Sequence, residues 1–148
     1  MKEVAIIYRL FLLFLLSLSP ALHASDDAAI AAQIIDKALT SLYNGNNVKA
    51  WGDTPAQCEI ISHSRKMVAV TTPASADFLL LSRTVPTGLK PQQVIFATDY
   101  DLLYHDENVI GAFYWQKGRP NLVFIRNRLE RHSLSLAHEF DKYIEENL

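Results

Sequence analysis

Residues 77–98 read DFLLLSRTVPTGLKPQQVIFAT: two short apolar runs, Phe78-Leu79-Leu80-Leu81 and Val94-Ile95-Phe96-Ala97, held apart by a polar segment with Pro, Thr and Gly. A strand with one face in water alternates polar and apolar residues, whereas a run without alternation fits a strand covered on both faces. Both runs are bounded by turn formers and are too short for ordinary helices. They predict the middle of a sheet flanked by helices, an α/β layer architecture.

Working outward, Met67 to Thr72 reads as another strand, and Val48-Lys49-Ala50-Trp51 as the first, closing on the turn Gly52-Asp53-Thr54-Pro55. Upstream, Ile30, Ile34, Ala38 and Leu42 recur at helical spacing behind the capping and acidic residues Ser25-Asp26-Asp27. That helix should stop near Tyr43-Asn44-Gly45, where asparagine and glycine accept left-handed backbone. Ala56 to Lys66 has no clear period and is provisionally assigned to helix. Downstream, Asp99 caps a short helix to Glu107 that turns Leu102 and Leu103 inward. Ile110 to Gln116 and Asn121 to Arg126, separated by Lys117-Gly118-Arg119-Pro120, predict a β-hairpin. Leu136, Phe140, Ile144 and Leu148 predict a closing helix over Leu136 to Leu148. The expectation is one domain: a sheet of about five to six strands flanked by helices, with a C-terminal β-hairpin and a final helix.

Residues 1–24 follow the three-part layout of a secretory signal. Lys2 and Arg9 supply positive charge, and Leu10 to Leu16 form an apolar core that continues weakly to Leu18. The core is shorter than the roughly 20 residues a membrane-spanning helix needs. Pro20 and Ala21-Leu22-His23-Ala24 then predict cleavage before Ser25, leaving residues 25–148 as a single exported domain. The chain carries a formal charge of −2, which gives no electrostatic reason to bind nucleic acid. Cys58 is its one cysteine, so no internal disulfide is possible, and a buried, inert thiol is expected.

Catalytic and metal motifs are incomplete. His138-Glu139 lacks the second histidine one turn on, where Lys142 stands, and His132 lies six residues away across an expected helix start. Glycines nowhere repeat at a phosphate-cradling spacing, no serine sits in a Gly-x-Ser-x-Gly elbow, and Cys58 with His63 is more simply incidental. No cofactor and no enzymatic activity are expected. In an open α/β sheet small molecules settle beyond the carboxyl ends of the strands. Trp51, Asp53, Thr72, Ser82, Arg83, Asp99 and Tyr100 fall after expected strands and form a candidate ligand crevice, with turn and cap roles as the competing reading. Arg119, Arg126, Arg128 and Arg131, with Phe113, Tyr114 and Trp115, combine arginine and large aromatics on the hairpin and its exit, a composition favoured at protein interfaces. A solvated hairpin face with its aromatics packed inward would read the same way.

The segments Ala76-Asp77-Phe78-Leu79-Leu80, Val94-Ile95-Phe96-Ala97-Thr98-Asp99, Val109-Ile110-Gly111-Ala112-Phe113 and Phe124-Ile125-Arg126-Asn127, leading to Leu134-Ser135-Leu136, resemble the YfiR-like family of periplasmic regulators. More loosely they resemble one lobe of a periplasmic solute-binding protein. The resemblance covers roughly Ala76 to Leu148, with the family's Gly-Gly reduced to Gly111. It implies a single periplasmic α/β domain that restrains an inner-membrane signalling protein such as a diguanylate cyclase. With Cys58 alone, redox control through disulfides is not expected. The leading expectation is a non-catalytic regulatory or sensory domain with an inner-membrane protein partner, and the alternative is a one-lobed binder of a small molecule.

Overall fold

A computed structural model describes residues 19–148, with side chains from Ala24 onward. Most of the expected export signal lies outside the described residues. The elements are α1 (Ser19–Leu42), β1 (Val48–Gly52), α2 (Pro55–His63), β2 (Met67–Ala69), β3 (Phe78–Leu81), β4 (Val94–Ala97), α3 (Tyr100–His105), β5 (Val109–Gln116), β6 (Arg119–Ile125), α4 (Arg126–Arg131) and β7 (Ile144–Glu145). Short 3-10 segments span Pro73–Ser75 and His138–Tyr143.

The strands form one sheet in the order β2-β1-β3-β4-β5-β6-β7. The first five are parallel, β6 returns antiparallel to β5, and β7 runs parallel to β6. The α/β class read from residues 77–98 therefore holds, with β3 and β4 buried at every position. Alternate side chains serve two cores. Phe78, Leu80, Val94 and Phe96 pack beneath α1 and α2, while Leu79, Leu81, Ile95 and Ala97 pack with Leu102 and Leu103 of α3.

Helix α1 is already formed at Ser19, where the described residues begin, so Ser25 lies inside it rather than at its start. It ends as expected: Asn44 and Gly45 take positive φ, and the Gly45 amide donates to Thr40 O. The stretch after β1, expected as helix over Ala56 to Lys66, is helix α2 over Pro55–His63, with Pro55 in its first turn. Asp99 caps α3 by accepting from the Asp101 amide at 2.8 Å. The β5–β6 turn has positive φ at both Lys117 and Gly118, the geometry that matches strand twist in a two-residue hairpin.

The final helix is replaced by the 3-10 turn and β7, which raises the strand count to seven. Phe140 buries its ring and Ile144 pairs with Phe124 along the open edge of β6, so sheet pairing overrides the four-residue spacing. Cys58 is exposed in the first turns of α2 rather than buried, its Sγ lying 3.7 Å from Gly52 O.

Candidate functional site

The parallel order reverses between β1 and β3, so the switch-point crevice lies between the loops that leave these strands. Trp51, Asp53, Ser82, Arg83, Asp99 and Tyr100 all come to this carboxyl edge, as their positions after β1, β3 and β4 require. Thr72 does not. The last residue of β2, Ala69, is level with Ala50 and hence with Phe78, the first residue of β3. Gln93, just before β4, donates through Nε2 to Pro73 O and Ala76 O at 2.7 Å each, which ties the Thr72 turn to the strand starts.

Within the crevice the polar groups hold one another. The Asp53 carboxylate accepts from the Ser82 and Arg83 amides at 2.9 Å each, stapling the loop after β1 to the loop after β3. Thr54 Oγ1 donates to Gln57 Oε1, Gln57 Nε2 donates to Thr98 Oγ1 at 2.6 Å, and Thr98 Oγ1 donates to Leu81 O at 3.3 Å. This second chain links β1, α2, β4 and β3. Gln57 is buried, and both the oxygen and the nitrogen of its amide have a partner. Asp99 is the cap of α3, Trp51 is half-buried against the second core, and Tyr100 packs against Tyr114 with tilted rings 5.2 Å apart. Each crevice residue placed here thus has a structural partner, except Arg83, whose side chain is exposed. Gln57 and Thr98 were missed in sequence; Thr54-Pro55 opening a helix with Gln57 three residues later resembles a capping box and was the available signal.

The aromatic and arginine set divides. Strand β5 pairs with β4 only as far as Ala112, and β6 pairs with β7 only at Phe124 and Ile125. Residues 113–122 therefore form a two-stranded arm that runs past the carboxyl edge without sheet neighbours. Phe113 remains in the core and Trp115 stands above it, edge to face at 5.8 Å and 39% exposed. Lys117 and Arg119 are exposed at the tip. Arg126, Arg128 and Arg131 belong instead to α4, at the other end of β6. Seven residues of strand place them roughly 20 Å from Arg119. One patch cannot contain both groups.

Arg128 is not a surface residue at all. It is 8% exposed, and its Nη1 donates to Leu103 O, Asp106 O and Val109 O at 2.9, 3.0 and 2.8 Å. Burial, and then Arg131, pull its pKa down from the usual arginine value. Arg131 is exposed with Nη2 donating to Glu107 O at 2.6 Å, and Arg126 pairs with Glu146 at 2.6 Å. Beside α4 opens a cleft of about 500 Å³, walled by Val85, Leu89 and Lys90 of the β3–β4 loop and by Glu107, Arg128, Arg131 and His132. The sequence offered little to find it, because Lys90 and His132 are 42 residues apart and neither lies in a motif.

Among the described residues no three His, Cys, Asp or Glu side chains gather as metal ligands, and no helix is long and apolar enough to cross a membrane. His138 pairs with Asp141. Set against protein-family models, curated proteins and solved structures, the chain matches none.

Proposed function

We propose that the chain is an exported, non-catalytic regulatory domain that docks on the outer face of an inner-membrane signalling protein, of the diguanylate cyclase kind that the YfiR-like resemblance suggests. The observation that carries this reading is the end of β5 and β6, which has no further strand on either side. A two-stranded ribbon projecting past its sheet offers a rigid surface with little ordering to lose on binding. Trp115, half-exposed Tyr114 and exposed Arg119 are of the residue types that dominate binding energy at interfaces. The docking surface we propose is the end of the arm, with Trp115 on one face of the ribbon and Tyr114 and Arg119 on the other. Arg126, Arg128 and Arg131 are left out of it, because they sit at the opposite end of β6 and Arg128 holds backbone carbonyls.

A small-molecule binder built on the carboxyl-edge crevice is the weaker reading, since the Asp53, Gln57 and Thr98 side chains are already paired with their own neighbours. The test is co-purification from cross-linked cells with Trp115→Ala and Arg119→Glu. We expect the unaltered protein to retain one inner-membrane protein with a cytoplasmic output domain. Each change should weaken capture by about ten-fold or more, as loss of a hot-spot residue does. Capture of no membrane protein, or capture indifferent to both changes, would overturn the reading.

A further inference from the structure

We infer that the cleft at the amino edge of the sheet is a binding site for a small organic anion with an apolar body. Ile95, Val85 and Leu89 give it apolar lining. Its charged lining is cationic in balance: Lys90, Arg128 and Arg131 against a single carboxylate, Glu107. A volume of about 500 Å³ lies in the range of ordinary small-ligand sites.

The buried arginine gives the cleft its chemistry. All three hydrogen bonds of Arg128 leave from Nη1, so its Nη2 and Nε donors bond to nothing among the described residues. The three carbonyls fix the guanidinium plane, and the unused edge is a preorganised fork of the kind that binds carboxylate or phosphate in pairs of hydrogen bonds. Arg131 is held by Glu107 O through Nη2, which places a second guanidinium beside the first. Two like charges so close repel, and an anion between them removes that repulsion. The negative end of α4 does not oppose this, because its last carbonyls are occupied: Leu129 O accepts from the His132 and Leu134 amides, and Glu130 O from Ser133. His132, also at the cleft, has its pKa lowered by burial and by Arg131. A bound anion would shift it upward, which makes its ring a local reporter.

The inference does not depend on docking by the arm, and the test uses the purified protein without any partner. Phenylacetate and phenyl phosphate are titrated by calorimetry while the His132 ring protons are followed by NMR, with benzylamine as a cation of the same apolar body. At least one anion is expected to bind and to raise the His132 pKa, and benzylamine to do neither. Lys90→Gln and Arg131→Gln should each weaken the anion by about ten-fold or more, the effect of a lost charge-assisted hydrogen bond. Two exposed positions are used so that a fold-disturbing change at one leaves the other to decide, and Lys117→Gln at the hairpin tip should change nothing. No binding of either anion up to about 10 mM, weaker than ordinary small-ligand affinity, would overturn the inference. So would equal binding of benzylamine, or affinities unchanged in both variants.

Discussion

Gly111 lies where β5 passes between two phenylalanine rings. A Cβ built there would come within 2.5 Å of Val123 O and 2.7 Å of the Phe124 ring. With no side chain in the way, Phe96 of β4 and Phe124 of β6 meet across β5 at 5.6 Å, and Phe78 extends the row at 5.9 Å. The local bulge, where Ile95 opposes Val109 but Phe96 opposes Gly111, sets the glycine on that face. Gly111→Ala should therefore cost about 2–4 kcal/mol by overpacking, read as a lower urea midpoint at unchanged slope. Arg128 makes a second residue-scale case. Arg128→Met keeps much of the apolar stem but strands the carbonyls of Leu103, Asp106 and Val109, and should cost about 3 kcal/mol in the same measurement. Sequence gave no hint of this burial: an arginine two residues past a strand reads as surface, and only the return of β6 beside α3 and β5 supplies the carbonyls that hold it.

At the scale of elements, legibility followed how local the deciding interaction is. The hairpin was readable because Lys117-Gly118 alone dictates the turn, and α3 because Asp99 caps it within two residues. The central strands were readable because being covered on both faces leaves no alternation. The C-terminal segment was not, because Ile144 is a strand residue only by virtue of Phe124, twenty positions earlier. Thr72 was misplaced for a related reason: position after a strand locates a residue at the carboxyl edge only if β2 and β3 are in step, and β2 is staggered down by the length of its pairing with β1. For the crevice residues the positions were largely legible and the bonds were not. Nothing local in sequence says that Asp53 will accept the amides of Ser82 and Arg83 rather than face a ligand.

Across the whole molecule, the antiparallel return of β6 separates two ends with different chemistry. The carboxyl end presents the arm, with Trp115 and Arg119, and the amino end holds the cationic cleft beside α4. The charge state of the amino end also sets a pH dependence. Burial and Arg131 lower the folded pKa of His132, and Lys90, Arg128 and Glu107 are the other ionisable groups at its cleft. The unfolded chain binds the proton more readily, so His132 contributes stability that is fully present above about pH 6.5 and declines as pH falls toward its depressed folded value. His132→Gln should accordingly lose less stability than the unaltered protein between about pH 7 and pH 5, measured as the difference in urea midpoints. Parallel curves for the two proteins would contradict it.

The docking claim is tested most directly by site-specific photo-cross-linking in living cells, with the reactive group placed in turn at Gln116 on the arm and at Asn127 on α4, both exposed. We expect an adduct with one inner-membrane signalling protein from position 116 and none from position 127. An adduct from 127 alone, or from neither position, would contradict docking through the arm.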